Sequence, residues 1–141
     1  MRSSSNGSER PRVLVVDDDD DVASLVREVL HEAGYAVATA IHGAAALEIL
    51  TTHEPALILV DLRMPIMDGW SFIEQYRRRG GHARIIAFTG ASDVATQAKN
   101  LLVDEVLAKR FGIDALVEAV ATVMNRVAGV YPPTRATGDA M

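Results

Sequence analysis

Two apolar runs, residues 12–16 and 56–60, each stop on aspartate: the first on Asp17 and Asp18, the second on Asp61. If both runs are neighbouring parallel strands, three carboxylates meet in one crevice, where mutual repulsion is costly unless a cation or a proton relieves it. A carboxylate placed there can accept a phosphoryl group only when a cation screens the approach of a second anion. Two further strand-end residues fit such chemistry. Thr89 offers a hydroxyl that can donate to a phosphoryl oxygen, and Lys109 offers an ammonium point charge for carboxylate or phosphoryl oxygens. The acidic run does not stop at Asp18, however. Asp19, Asp20 and Asp21 stand just before a helical pattern, and their expected work is to cap that helix and complement its dipole.

The elements that must position these groups alternate along the chain. Arg12–Val16 is a β-branched run. Val22, Leu25, Val26, Val29 and Leu30 then recur at helical spacing, and Gly34 closes that helix. A strand is expected at Tyr35–Thr39, a helix at Gly43–Thr52, a buried strand at Ala56–Val60, a loop with Pro65 and Gly69, and a helix at Trp70–Arg79. Strand Ala83–Phe88, a helix over Asp93–Leu102, strand Glu105–Ala108 and a last helix over Ile113–Ala128 complete the pattern. Five strands alternating with five helices predict an α/β fold, a doubly wound parallel sheet with helices on both faces. In such sheets ligands sit outside the carboxyl ends of the strands where strand order reverses. In the order 2-1-3-4-5 the reversal falls between the strands that end on Asp17–Asp18 and on Asp61.

Composition bounds the rest. A chain of 141 residues, 49% hydrophobic and 23% charged, can bury one sizeable core. The expected organisation is a polar tail at 1–11, one domain at 12–128 and a flexible tail at 129–141. The formal charge of −5 becomes −6 once Arg2, Glu9, Arg10, Arg135 and Asp139 of the two ends are set aside. An acidic body argues against a nucleic-acid footprint, which gathers Lys and Arg on one face. The one basic cluster, Arg77–Arg79, lies where a helix should end and is expected to face water there. With no cysteine there is no disulfide, thiolate metal site or thiol nucleophile. No apolar run approaches the ~20 residues of a membrane span, and the N-terminus carries no secretory signal. A cytoplasmic protein is the expectation. His31, His42, His53 and His82 lack metal-ligand spacing and are expected to be solvated or to cap helices. Trp70, Phe72, Ile73 and Tyr76 are too close together on one helix for all to face inward.

Four segments taken together carry a resemblance. ValLeuValValAspAspAspAspAspVal at 13–22, LeuIleLeuValAspLeuArgMetProIleMetAspGlyTrp at 57–70, IleIleAlaPheThrGly at 85–90 and LeuAlaLysArgPhe at 107–111 resemble, in the same order, the receiver domain of two-component response regulators. The resemblance covers about residues 12–127. It implies a flavodoxin-like fold, with Asp61 as the phosphorylated residue and Thr89 and Lys109 beside it. It also implies Mg²⁺ held by Asp17, Asp18, Asp61 and the main-chain carbonyl of Arg63, with Asp17 acting through water. Magnesium suits an all-oxygen site at about 2.0–2.1 Å that keeps several waters.

A sensor histidine kinase or phosphotransfer protein is the implied donor, and the acyl phosphate is implied to hydrolyse later. Two positions depart from the family pattern. Arg110 stands where a proline, often behind a cis peptide, is usual, and a trans Lys109–Arg110 bond is expected because a non-proline cis bond costs about 2.5–4 kcal/mol. Val106 stands where an aromatic ring usually turns inward on modification, so the relay from Thr89 is expected either to be weaker than usual in the family or to be carried by backbone shifts alone.

The expectation is a stand-alone receiver, a switch without external turnover. Its output would pass to a partner protein, to a homodimer through the helix near 93–102, strand 105–108 and the last helix, or onward as a relayed phosphoryl group. The alternative is a receiver-like interaction module that signals without phosphorylation. An aspartate-nucleophile phosphatase usually wants a second acid two residues after the nucleophile, where this chain has Arg63. A P-loop enzyme would need a GxxxxGK[ST] segment, which is absent.

Overall fold

Five short strands, each dominated by small or branched apolar residues, pair side by side in one parallel sheet. The computed structural model describes residues 10–64, 67–89, 103–109 and 111–126. In chain order the elements are β1 (Arg12–Val16), α1 (Asp20–Glu32), β2 (Ala36–Ala40), α2 (Gly43–Ile49), β3 (Leu57–Asp61), α3 (Gly69–Arg78), β4 (Arg84–Thr89), β5 (Glu105–Ala108) and α4 (Ile113–Met124). The sheet order is β2-β1-β3-β4-β5, so strand order reverses between β1 and β3. This is the flavodoxin-like arrangement expected from the sequence.

Because successive strand residues point to opposite faces, the apolar runs feed two cores. Val13, Val15, Leu57, Leu59, Ile86 and Phe88 face one side, where α1 (Ala23, Val26, Leu30) and α4 (Leu116, Val120, Val123) cover them. Leu14, Val16, Ile58, Val60, Ile85 and Ala87 face the other, under α2 (Ala46, Leu47) and α3 (Phe72, Ile73, Tyr76). All five β3 residues are buried, as a central strand with helices on both sides requires.

Several boundaries move by a residue from the hydrophobic pattern, because ladder pairing rather than polarity ends a strand. β3 includes Asp61, opposite Phe88 in β4, and the Leu62 N–H still donates to Phe88 O at 3.0 Å. Some side chains also sit otherwise than the pattern predicts. Leu25 is 50% exposed and Ile113 52%. The buried stripe of α1 runs through Ala23, Val26 and Leu30, and Leu25 lies about 100° round the helix from Val26. Within α3, Phe72, Ile73 and Tyr76 are buried and Trp70 packs partly exposed against them. Arg77 does not simply face water: its guanidinium donates to Gly81 O at 3.1 Å and Ala83 O at 2.8 Å. Gly80, at φ +88°, turns the chain back to bring those carbonyls within reach. The last helix ends at Met124, with Asn125 as its cap. The expected helix over 93–102, Pro65, Gly90, Arg110 and tail residues 1–9 and 129–141 lie outside the described residues.

Candidate functional site

β1 delivers its last ladder bond one residue beyond the strand, from Asp17 N–H to Ala40 O at 3.0 Å. This buries the Asp17 side chain completely. Its Oδ1 accepts the Asp19 N–H at 2.9 Å, whereas Oδ2 accepts no hydrogen bond and faces the Lys109 ammonium at 3.3 Å. Asp61, the last residue of β3, is also buried. Its Oδ1 accepts the Arg63 N–H at 3.0 Å and its Oδ2 accepts from Lys109 Nζ at 3.0 Å. Lys109 directly follows β5, so one ammonium bridges two strand ends. Asp18 is exposed, yet one carboxylate oxygen from each of Asp17, Asp18 and Asp61 lies within 4.8 Å of the others. Topology therefore brings together the three acids that the sequence places 44 residues apart at most.

The remaining acids divide as local chemistry dictates. Asp19 is the N-cap of α1, its Oδ1 accepting from Asp21 N–H at 3.0 Å and Val22 N–H at 3.2 Å. Asp20 and Asp21 stand exposed in the first turn, where they complement the helix dipole. Thr89 is the last residue of β4, paired in register with Ala108, which places it at the same end of the sheet. Arg63 is exposed, and its main chain is tied to the Asp61 carboxylate. Val106 is half-buried against the α2–α3 core, opposite Ala87, and brings no ring to this position. Among the histidines, His42 caps α2 by accepting the Ala45 N–H at 3.1 Å, and the other three are exposed.

Electrostatics bear on the pair that shares Lys109. Burial pushes the Asp17 carboxyl up to about 6 from 3.8, and the Asp61 charge adds to this. The Asp19 N–H and the Lys109 ammonium pull the other way without cancelling it. For Lys109, burial opposes the charged form, but the hydrogen bond it donates to Asp61 and the charges of both acids outweigh it and hold the ammonium above its ordinary range. A single lysine thus leaves two buried carboxylates incompletely neutralised. The unsatisfied Asp17 Oδ2 and an all-oxygen donor set fit a hard divalent cation.

Two supporting residues were not legible as such from the chain. Gly69, first in α3, packs so closely on the end of β3 that a Cβ there would lie 2.6 Å from Asp61 O and 2.7 Å from Leu62 Cα. Its neighbour Asp68 had a visible signal, an Asx residue before a helix, and caps α3 by accepting Ser71 N–H at 2.9 Å. Phe111, beyond Lys109, lays its ring 5.1 Å from that of Phe88 and fixes the chain leaving the lysine. No sequence spacing announces that contact.

Comparison with known proteins agrees with this geometry. Residues 13–121 match the response regulator receiver domain family. The transcriptional regulatory protein PrrA of Mycobacterium tuberculosis is 35% identical over 122 residues, 85% of this chain and 52% of PrrA. The chain thus spans about half the length of the first curated relatives it matches. The sporulation initiation phosphotransferase F of Bacillus subtilis is 33% identical over 111 residues, 77% of this chain and 90% of that protein. Among solved structures, the response regulator TrrA of Thermotoga maritima in complex with Mg²⁺–BeF superposes with a TM-score of 0.74 at 32% identity, covering 80% of this chain and 98% of that one. The Francisella response regulator 1452 receiver domain superposes at 0.77 with 28% identity, over 83% and 98% of the two chains. With the acids, the lysine and the strand order all in place, the chain belongs to the receiver-domain family of two-component response regulators.

Proposed function

We propose that Asp61 accepts a phosphoryl group from the phosphohistidine of a sensor histidine kinase or phosphotransfer protein. The modified domain then switches contacts with an output partner. The observation that carries this reading is the Asp61 carboxylate at the sheet's reversal point, bonded to Lys109 at 3.0 Å and flanked by Asp17 and Asp18. In the transfer, a carboxylate oxygen of Asp61 bonds to phosphorus as the donor's N–P bond breaks; the electron pair stays on the imidazole nitrogen, which takes up a proton. Lys109 is placed to hold the developing charge on the phosphoryl oxygens, because its ammonium already sits against the attacking carboxylate. The Arg63 N–H fixes one carboxylate oxygen and so orients the other.

Asp17, Asp18, Asp61 and the Arg63 carbonyl are the residues that would hold Mg²⁺, which when bound lowers the repulsion between the acids and the incoming anion. Thr89, at the end of β4, is the hydroxyl proposed to donate to the transferred group. Water later attacks the phosphorus, the acyl O–P bond breaks and the Asp61 carboxylate returns. The chain is a stoichiometric acceptor, with no external substrate turned over. The energetics are those of a two-state equilibrium, in which the new charge is bonded better in one loop arrangement than in the other. A receiver acting through its own surface is supported by the Bacillus subtilis relative, which the match covers over 90% of its length.

Incubation with a small acyl phosphate and Mg²⁺, followed by intact-mass measurement, tests the reading. One phosphoryl group should be gained, lost on removing the metal and absent in Asp61→Ala. No gain in the unaltered chain, or a gain that persists in Asp61→Ala, would overturn it in favour of a phosphorylation-independent interaction module.

A further inference from the structure

Strand β2 lies at one end of the sheet order, and among the described residues it has a neighbouring strand on its β1 side alone. The Ala36 N–H donates to Pro11 O at 2.9 Å, and Ala40 O accepts the Asp17 N–H at 3.0 Å. Alternate residues of a parallel strand bond the same neighbour, so Ala36, Ala38 and Ala40 bond β1 while the N–H and C=O groups of Val37 and Thr39 point to the outer edge. Among the described residues nothing bonds them there. Edge strands are ordinarily guarded by a charge, a proline or a bulge. Here no Asp, Glu, Lys, Arg or Pro occurs from Ala33 to Leu47, the β1–β2 register is unbroken, and Ala36, Ala38 and Thr39 are exposed.

We propose that this edge is a homodimer interface, in which β2 pairs antiparallel with β2 of a second copy across a two-fold axis at Ala38. The edge is self-complementary in that register. Val37 of each copy stands opposite Thr39 of the other and exchanges both backbone hydrogen bonds with it, so all the outward groups of the two residues gain partners. Ala38 meets Ala38 of the second copy as a non-hydrogen-bonded pair with Cα atoms about 4.5 Å apart, a close approach that methyl side chains allow. One step beyond the strand ends, the same register sets Ile41 of one copy opposite Tyr35 of the other. Ile41 is 54% exposed, and the half-buried Tyr35 packs on the α1–α4 core, so the pairing covers an isoleucine otherwise left in water.

Charge favours the antiparallel sense and a second copy as the occupant. Arg10 and Arg12 stand exposed at the amino end of β1, and among the described residues neither has a carboxylate partner. Glu32, at the end of α1, offsets one of them. At the carboxyl end of β1, Asp18, Asp19, Asp20 and Asp21 are exposed. Antiparallel pairing lays the basic end of each copy toward the acidic end of the other, with the two β1 strands about 14 Å apart, three strand spacings. An attraction over that distance steers association, and the backbone bonds and the Ile41–Tyr35 contacts hold it. The pairing needs no phosphoryl group on Asp61.

The full chain, free of metal and phosphodonor, should show a concentration-dependent dimer in sedimentation equilibrium. A chain that stays monomeric up to about 0.5 mM would overturn the proposal and leave the edge to a strand of another protein. Ala38→Lys and Ala38→Glu each set like charges opposite one another on the axis and should weaken association about tenfold or more, with circular dichroism unchanged. An equimolar mixture of the two should restore it. A dimer indifferent to these changes would place the contact on another face. Because the chain has no cysteine, single-cysteine variants report the register. Under mild oxidation Ala38→Cys should form a disulfide-linked dimer, since about 4.5 Å is a separation a disulfide spans. Ala36→Cys, roughly 14 Å from its counterpart, should not. Linking of both variants or of neither would refute the register. Phosphoryl uptake, read separately by mass, should be the same in Ala38→Lys as in the parent, which keeps this test apart from that of Asp61.

Discussion

The two ends of the sheet treat a buried aspartate in opposite ways. At the carboxyl ends of the strands, Asp17 is fully buried with one oxygen lacking any hydrogen bond and with a second buried acid beside it. At the other end, Asp104 is buried almost as deeply, but its Oδ2 accepts the Ile85 N–H at 2.8 Å. Arg126 donates to the Asp104 carbonyl at 3.1 Å, and its guanidinium approaches the carboxylate at 3.9 Å. Nearby, Tyr76 donates to Glu54 at 2.7 Å while accepting the Ala83 N–H at 2.8 Å. Burial raises the Tyr76 hydroxyl well above its ordinary range, and the Glu54 carboxylate adds to it, so the phenol stays protonated and remains a donor. A satisfied buried polar group holds the fold together. An unsatisfied one stores repulsion that a cation can relieve. The difference separates scaffold from site without reference to any relative.

The contrast can be broken by substitution, and the largest effect belongs to the site. Asp61→Asn should lose phosphoryl uptake altogether while keeping a cooperative unfolding transition, read by intact mass and urea denaturation. Uptake at the original rate would remove the acceptor from position 61. At the scaffold end, Asp104→Ala leaves a buried N–H without a partner and should cost about 2–4 kcal/mol in urea unfolding, with uptake retained. A loss under about 0.5 kcal/mol would mean that the polar base does not hold the sheet.

Asp17→Asn should do the reverse, stabilising the metal-free protein by about 1–2 kcal/mol at pH 7 while weakening the Mg²⁺-dependent rise in Tm. A destabilised variant would contradict stored repulsion. The pH dependence sharpens the same point. Burial pushes the folded Asp17 carboxyl up to about 6 from an ordinary 3.8. Between those values the native state holds the proton more tightly than the unfolded chain, so this group's contribution is full below about pH 4 and is lost as pH rises through about 6. The stability of the parent protein relative to Asp17→Asn should therefore fall across that window and level off above it. A difference that grows with pH would sink the burial argument. The smallest effect belongs to the exposed pair Arg78–Glu74, 3.7 Å apart with side chains 71% and 61% exposed. Arg78→Ala should change stability by no more than about 0.5 kcal/mol.

Much of this was legible in the chain. Apolar runs and helical spacing, punctuated by Gly34, Pro65 and Gly69, marked the five strands and the four helices among the described residues, because burial between helix layers or on a helix face imposes a local pattern. Acids and a lysine just beyond apolar runs marked the site, because a strand's end is where a side chain can leave the core and still be aimed. Arg77 was misread because its partners are carbonyls of a turn whose shape depends on Gly80. Leu25 was misplaced because the helical stripe is wider in sequence than the contact it makes.

Residue types and their order along the chain determined which elements form and which groups stand at their ends, since propensity and periodicity act over a few neighbours. Only the tertiary structure decided that Lys109 bridges Asp17 and Asp61, that Asp104 closes the base of β4, and that Gly69 lies against Asp61. Those contacts join residues from separate elements, and strand register, a property of the whole sheet, sets their distances.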